Sequence, residues 1–181
     1  MKAQPGHIQF CTKPELTEVL RLGYFLTLAH VNFEKEMKYM SPAERVQTFI
    51  NQMLGWEVSF HTEKKSDSYQ HDFEYRQHVN VDARARLMEI FSENLSAKGL
   101  NALGAARLGT LGTGRPPEYD QAVLVDTENS SDEGWTVETI KPKGIKQRYQ
   151  YILILEHGTP KIDGVCIWRN SAEKWERRNA I

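Results

Sequence analysis

The N-terminal half of the chain carries hydrophobic residues at helical spacing in three places. From Pro14 to Met40 they recur three or four positions apart, which predicts a first helix. Ser41-Pro42-Ala43-Glu44 combines an N-cap residue, a proline at the first helical position and a capping-box glutamate, so it predicts a second helix that ends at Gly55. Residues 81–95 return to helical spacing and predict a third helix. Residues 56–78 are polar without a sustained period, and we expect a long loop there.

The C-terminal half alternates short β-rich runs with turn residues. The runs cover residues 122–128, 134–141, 148–156 and 161–168, and segments rich in Gly, Pro, Asn and Ser separate them. In residues 149–155 both faces are largely apolar, which is typical of a central strand. Helices followed by a meander of antiparallel strands predict an α+β fold, with N-terminal helices packed on one face of a bent antiparallel β-sheet.

The composition is typical of one globular domain. The chain has 181 residues, of which 40% are hydrophobic and 26% are charged. We interpret residues 1–181 as a single domain, with a flexible N-terminus over residues 1–12, a mainly helical part over 13–99 and a mainly β-sheet part over 100–181. No linker or internal repeat suggests a second domain.

The charge balance and hydropathy exclude some classes of partner. Lys and Arg total 23 against 24 Asp and Glu, and the net charge of -1 gives no global field that would favour nucleic acid or an anionic membrane. No window approaches the roughly 18 apolar residues of a membrane span, and the N-terminus has no signal-peptide pattern. We therefore expect a cytoplasmic protein that binds neither nucleic acid nor membrane.

Few residues have the spacing of known catalytic, phosphate-binding or metal-binding motifs. Cys11 and Cys166 lie at opposite ends of the chain without CxxC spacing, so we expect free thiols. The glycine run over residues 104–114 lacks the Gly-Lys-Ser/Thr ending of a phosphate loop and predicts a flexible or bulged edge strand. The histidines of the predicted long loop do not have metal-ligand spacing: His61, His71 and His78. We expect no metal and no cofactor.

Acidic side chains concentrate in one predicted turn. Residues 126–133 carry four carboxylates in eight positions. This segment is either a solvated hairpin turn or a landing patch for a basic partner, because like charges on a loop steer association. Two further carboxylates lie in the predicted long loop. If the protein binds a partner, we expect these six residues to contact it: Asp126, Glu128, Asp132, Glu133, Asp67 and Asp72.

The segment Arg115-Pro116-Pro117-Glu118-Tyr119-Asp120 joins the glycine run to the first predicted strand. Its two prolines fix successive φ angles, and the residue before each proline is biased towards extended structure, so the segment predicts a rigid corner. We expect Tyr119 to anchor at the edge of the core and Asp120 to cap the turn before the strand. We therefore interpret the segment as a corner of the fold and not as a site.

Several of these segments together resemble a known family. They are a helix ending in IFSENLSAKGLNALGAARLGTL, the RPPEYD corner, a strand with VETI, the stretch RYQYILILEHGTPKIDGV and a late Trp in SAEKWERR. Over roughly residues 25–178 the chain resembles immunity proteins of bacterial polymorphic toxin systems that adopt the nuclear-transport-factor-2-like fold. The resemblance implies a cone-like α+β domain whose helices cap a strongly bent antiparallel sheet. It also implies a protein that has no chemistry of its own and blocks a cognate toxin by binding it.

The first hypothesis of function is therefore an immunity protein for interbacterial competition, which is not an enzyme and which occludes the active site of a toxin domain. The alternative is a small-molecule enzyme, of the isomerase or dehydratase type, that uses the pocket of the cone-like fold. Such chemistry needs an inward acid or base with a shifted pKa, and the candidates are Tyr119, Asp120, Tyr149 and Tyr151. A small-ligand or assembly module is a third possibility. The sequence leaves the toxin and the oligomeric state open.

Overall fold

The computed structural model describes residues 40–124, 127–131, 134–144 and 146–181. Residues 40–181 form a compact unit by themselves. The predicted flexible N-terminus, the predicted helix from Pro14 to Met40 and Cys11 lie outside the described residues, apart from Met40 itself. The described part is an α+β fold in which helices precede a six-stranded antiparallel sheet, as the sequence predicts. The sheet is not closed.

Helix α1 runs from Pro42–Glu63 and begins where the sequence predicts. Ser41 is the N-cap, and its side chain and that of Glu44 form the two reciprocal bonds of a capping box. The prediction that the helix ends at Gly55 is wrong. Trp56 and Phe60 continue the buried stripe of α1 by two further turns, and Gly55 lies on the exposed side of the helix. Burial of these two aromatic side chains outweighs the weak helix propensity of one glycine.

Two further helices occupy the segment for which a long loop was predicted, so that prediction is also wrong. Helix α2 runs from Asp67–His71 and helix α3 from Phe73–Asn94. Ser66 caps α2 and Asp72 caps α3, each by accepting a backbone N–H with its side chain. Helix α3 therefore begins about two turns before the predicted start at Val81. Its buried residues, Leu87 among them, all lie in its C-terminal half.

Residues 104–110 of the glycine run fold as helix and residues 111–114 belong to no strand, which corrects a third prediction. A short helix α4, Ala97–Gly99, leads into a π-helical turn, Leu100–Gly104, and then into helix α5, Ala105–Thr110. Leu111 ends α5 in the left-handed region, with a φ of 47°. Its N–H donates to the carbonyl of Arg107, which closes the last turn.

Six strands follow the helices: β1 Ala122–Val123, β2 Asn129–Ser131, β3 Gly134–Ile140, β4 Arg148–Glu156, β5 Thr159–Arg169 and β6 Lys174–Arg177. All of their pairings are antiparallel, in the order β1-β3-β4-β5-β6, and β2 pairs with the other end of β3. The predicted runs at 134–141, 148–156 and 161–168 are confirmed as strands β3, β4 and β5. Of the predicted run at 122–128, Ala122–Val123 form β1 and residues 124, 127 and 128 are not in a strand, while residues 125 and 126 lie outside the described residues. Strand β6 was not predicted.

The core lies between the helices and one face of the sheet. Phe49 of α1 makes edge-on ring contacts with Tyr119 at 5.8 Å and with Tyr151 of β4 at 6.1 Å, measured between ring centroids. Every second side chain along each strand points to this face, which we call the inward face. Those that are buried there include Val137, Thr139, Tyr149, Tyr151, Leu153 and Val165.

The end of α3 is attached to the sheet by two residues of the segment Lys161-Ile162-Asp163, which we call the KID motif. Lys161 Nζ donates to the carbonyl of Glu93 in the last turn of α3, where cations are favoured. Ile162 is fully buried and forms a parallel bridge with Leu95, the residue that follows the helix. These two residues of the motif therefore dock a helix onto the sheet.

Asp163, the third residue of the motif, is an extra residue in β5 at a shift of register opposite β4. Its side chain is buried, accepts a hydrogen bond from Ser96 Oγ at 2.7 Å and pairs with Lys98 Nζ at 2.8 Å. Burial alone would raise the pKa of this carboxyl, but the hydrogen bonds from Lys98 and Ser96 outweigh it and lower the pKa. Asp163 therefore fixes the start of α4 to the sheet.

Candidate protein-interaction surface

The face of the sheet opposite the core has a composition typical of interaction surfaces. Register partners lie on the same face of a sheet, so the pairs Glu138–Gln150, Gln150–Cys166 and Trp168–Trp175 place their side chains together. We call this side the outward face. It is formed by Glu138, Arg148, Gln150, Ile152, Ile154, Cys166, Trp168, Trp175 and Arg177. Most of these side chains are half-buried among their neighbours, and no described helix supplies a ring contact to them.

An arginine and two tryptophans form a cluster at one end of the outward face. The rings of Trp168 and Trp175 lie 5.3 Å apart and meet edge to face. The guanidinium of Arg148 lies 5.7 Å from the Trp168 ring centroid and 5.6 Å from the Trp175 ring centroid, within the range of cation–π attraction. Arg148 also pairs with the carboxylate of Glu138 on the neighbouring strand. The cluster presents aromatic surface that is held rigidly in place.

Arg177 extends the cluster towards the middle of the face. A Cβ at Gly164 would lie 3.0 Å from Arg177 Nη2 and 3.3 Å from Ile152 Cδ1, so glycine leaves the space in which the guanidinium lies against the backbone. The side chain of Arg177 is still 53% exposed, which leaves it accessible to a partner. Cys166 lies beside it but is buried, and burial raises the pKa of its thiol, so it is not a reactive nucleophile.

The RPPEYD corner is held from below by a buried carboxylate on α1. Glu57 is fully buried, and its two oxygens accept the backbone N–H groups of Gly114 at 2.5 Å, Glu118 at 2.7 Å and Tyr119 at 3.3 Å. The Arg115–Pro116 peptide bond in this segment is cis. Three N–H donors on one carboxylate define the path of the corner against the helix. The interpretation of this segment as a corner agrees with these contacts.

A second set of ion pairs lies at the same corner. Glu118 pairs with Arg107 and with Arg178, in both cases at 2.5 Å. Burial alone would raise the pKa of Glu118, but the two guanidinium groups outweigh it and lower the pKa. The carboxyl of Glu118 therefore stays ionised and paired. Arg107 is fixed further by donating to the backbone oxygen of Ile181 at 2.7 Å.

The residues named for an enzyme are divided between this corner and the surface. Tyr119 and Tyr151 are buried, and burial is the main cause that raises the pKa of each phenol. Tyr151 donates to Gln121 Oε1 at 3.1 Å, and the guanidinium of Arg107 lies over the Tyr119 ring, 5.6 Å from its centroid. Tyr149 is also buried on β4, whereas the side chain of Asp120 is 27% exposed and pairs with Lys143 at 3.1 Å. Tyr119 is thus a core anchor, as expected for the corner.

The six predicted partner-contacting carboxylates do not form one described patch. Glu128 is exposed between β1 and β2, whereas Asp126, Asp132 and Glu133 lie outside the described residues. Asp67 and Asp72 are exposed, but they are not in a loop: Asp67 opens α2 and Asp72 is the N-cap of α3. Their carboxylates favour these helix starts because the N-terminus of a helix carries a partial positive charge. Contact of these residues with a partner stays a prediction.

The three histidines occupy separate places on the helices. His71 lies 3.4 Å from Asp67, and His78 lies 3.3 Å from Asp82, each one turn away on its own helix. His61 lies on α1, and its Nε2 is buried without a hydrogen-bond partner. Within the described ranges, no group of three or more His, Cys, Asp or Glu residues is arranged to hold a metal ion.

An open groove of about 610 Å³ lies between α1 and α3. Its floor is formed by the stacked rings of Trp56 and Phe60, and its rim includes Tyr75, His78 and Asp82. None of the residues named for an enzyme lines this groove.

In the part of the chain that the structure describes, no helix is both long and apolar enough to cross a membrane.

Comparison with known proteins identifies no relative. No protein-family model matches the chain, no curated protein matches it, and no solved structure matches it. The functional argument therefore depends on the residues themselves. Sequence reasoning did not single out Arg148, Trp168, Trp175 and Arg177 as a surface. The two tryptophans come to lie on one side of the sheet because β5 and β6 pair with Trp168 opposite Trp175.

Proposed function

We propose that the protein is an immunity protein that binds a cognate bacterial toxin domain and occludes its active site. The observation that carries the proposal is the outward face of the sheet, where Trp168, Trp175 and Arg148 are clustered on the side away from the core. Trp and Arg are enriched among the residues that supply most of the binding energy in protein interfaces. Such a protein would act in the cytoplasm of the cell that makes it and would need no cofactor.

The dimensions of the outward face suit this role. Strands β3, β4, β5 and β6 contain 7, 9, 11 and 4 residues, and at about 3.3 Å per residue and about 4.8 Å between strands they cover on the order of 490 Å². This is more than half of the roughly 800 Å² that each partner contributes to a standard interface. The remaining area can come from the β1–β2 edge of the sheet, where Glu128 is exposed. A partner that covers the face and this edge would therefore reach Glu128.

In this proposal the acidic residues of the predicted turn at 126–133 form the charged rim of the interface. Rim charges mainly affect the rate of association and its salt dependence, whereas clustered aromatic residues supply affinity. We therefore expect charge reversal at Asp132 and Glu133 to slow association with the toxin without unfolding the protein. An unchanged association rate at low salt would remove these two residues from the site.

The enzyme alternative has less support. Its candidate acids and bases are either packed in the core, as Tyr119 and Tyr151 are, or paired at the surface, as Asp120 is. The carboxylate next to them, Glu118, has a lowered pKa, whereas a general acid needs a pKa raised towards neutrality. These contacts favour a structural role for the cluster.

Co-expression with the toxin domain encoded beside its gene tests the proposal. The wild-type protein should restore growth and copurify with the toxin domain. The variant Trp168→Ala/Trp175→Ala should fail in both respects while keeping its far-UV circular dichroism spectrum. Phe73→Ala, which truncates a 65% exposed aromatic residue on α3, is the matched control and should behave as the wild type. Absence of both rescue and copurification for the wild-type protein would overturn the proposal.

A further inference from the structure

Three cationic side chains from different elements are anchored on one short segment, Thr113–Pro116, which we call the corner segment. Lys64, which follows the end of α1, donates from Nζ to Thr113 Oγ1 at 3.3 Å. Arg115 lies within the segment and donates from Nη1 to the carbonyl of Gly114 at 3.2 Å. Lys141, which follows β3, donates from Nζ to the carbonyl of Pro116 at 3.3 Å. Four residues extend over at most about 14 Å, so the three head groups are anchored along one short stretch of backbone.

The positive charges of these side chains are not compensated. Among the described residues, Lys64, Arg115 and Lys141 have no carboxylate within ion-pair distance. The acidic side chains of the same corner have other partners. Glu118 pairs with two arginines, and Asp120 pairs with Lys143. The oxygens of Glu57 face the backbone N–H groups and are buried beneath the segment.

A neighbouring histidine responds to this positive charge. His61 lies on α1 one turn after Glu57, on the side of the helix that holds the corner segment. Burial lowers the pKa of His61, and the charges of Arg115, Lys65 and Lys64 lower it further. The ammonium of Lys64 is also held over the Phe60 ring, 5.1 Å from its centroid, which limits the positions that it can take.

We propose that the corner segment and its three cations form a binding site for phosphate groups. Each head group has N–H donors beyond the one it uses on the segment, since an ammonium has three and a guanidinium has five. Arginine and lysine together are the side chains that bind phosphate oxygens most strongly, arginine through two parallel bonds. The hydroxyl of Thr113 adds a neutral donor. The site is independent of the proposed toxin interface on the outward face.

Calorimetric titration with inorganic pyrophosphate at low ionic strength tests the site, with backbone amide NMR shifts to locate it. We expect binding by the full-length protein, with the largest shifts at Thr113, Gly114 and Arg115. The variant Arg115→Gln/Lys141→Gln should bind at least about tenfold more weakly, because two charge-assisted contacts are lost. The control Arg86→Gln/Lys174→Gln removes the same net charge from exposed positions elsewhere and should bind as the wild type.

Two outcomes would overturn the proposal: no binding of pyrophosphate by the wild-type protein, or equal weakening in both double variants. The second would mean that pyrophosphate responds to net charge alone. Titrations with ATP and with a short single-stranded oligonucleotide then distinguish the source of the phosphate. Tighter binding of ATP indicates a free nucleotide. Tighter binding of the oligonucleotide, with a steep loss of affinity as salt rises, indicates a nucleic-acid backbone and would contradict the expectation that nucleic acid is not a partner.

Discussion

The buried carboxylate of Glu57 makes the sharpest prediction about stability. It accepts three backbone N–H groups of the RPPEYD corner and has no exposed surface. In Glu57→Gln the side chain keeps its shape, but one oxygen becomes an NH₂ group that cannot accept a hydrogen bond. At least one of the N–H groups of Gly114 and Glu118 is then buried without an acceptor.

The size of the effect follows from the cost of an unsatisfied buried group. Leaving one buried donor without a partner costs about 1–3 kcal/mol, and each remaining bond loses the strength that the ionised carboxylate gave it. Removing the buried charge recovers part of its desolvation cost. We expect the free energy of unfolding to fall by about 3 kcal/mol. A domain of this size loses about 2–4 °C in Tm for each kcal/mol, so Tm should fall by about 6–12 °C.

Urea unfolding followed by circular dichroism measures this change, and amide hydrogen exchange locates it. The N–H groups of Gly114, Glu118 and Tyr119 should exchange faster in Glu57→Gln. The control Glu89→Gln alters an exposed pair with Arg86 on α3 and should change the free energy of unfolding by about 0.5 kcal/mol or less. A loss below about 0.5 kcal/mol for Glu57→Gln, with unchanged exchange at the corner, would refute the role assigned to this carboxylate.

Two further predictions concern Asp163 in the bulge of β5 and the pair of helix glycines Gly55 and Gly99. Because the pKa of Asp163 is lowered in the folded state, its contribution to stability is complete above its unfolded pKa of about 3.9 and is lost as pH falls through the lower folded value. Asp163→Asn should therefore flatten the loss of stability below about pH 4, measured by urea midpoints, and a profile as steep as that of the wild type would contradict this. Gly55→Ala should raise the free energy of unfolding by about 0.5–1 kcal/mol, since a Cβ there meets nothing within 4 Å. Gly99→Ala should lower it by more than 1 kcal/mol, since a Cβ there would lie 2.5 Å from the carbonyl oxygen of Ile162, and equal effects at the two glycines would refute the packing described.

The length of α1 could have been predicted from the sequence. Trp56 and Phe60 continue the three-to-four spacing of Phe49 and Met53, so the hydrophobic stripe runs past Gly55 without a break. The prediction treated Gly55 as the end of the helix, although a glycine in an exposed helix interior lowers helix stability by only about 1 kcal/mol. The start of the helix at Ser41 was predicted correctly because both bonds of the capping box join residues only three positions apart.

The first half of α3 could not have been predicted by periodicity. Leu87 is its first fully buried residue, and before it only Val79 and Ala83 pack partly against the core, so the hydrophobic stripe there is too sparse to predict a helix. This part of the helix is stabilised by the Asp72 cap and by hydrogen bonds from Arg76 to the backbone carbonyls of Tyr69 and Gln70. These bonds depend on how α2 folds back, which single-residue propensities do not describe.

The outward face could not be predicted from the sequence, for a different reason. Both faces of β4 are apolar, which correctly predicted a central strand paired on both sides. The pairing of Trp168 with Trp175 depends on β6, and residues 171–178 are too polar and charged to read as a strand. The cluster therefore appears only when the β5–β6 hairpin is folded.

Titration calorimetry with the proposed partner, a toxin domain encoded beside the gene, tests directly whether the outward face of the sheet binds it. We expect Trp168→Ala, checked to be folded, to bind the toxin domain at least about 30-fold more weakly than the wild type, the loss of about 2 kcal/mol that truncation of an interface tryptophan supplying much of the binding energy would cause. Phe73→Ala should bind within about twofold of the wild type, because it changes exposed aromatic surface on α3. Wild-type affinity in Trp168→Ala would contradict the claim that the outward face of the sheet binds the partner.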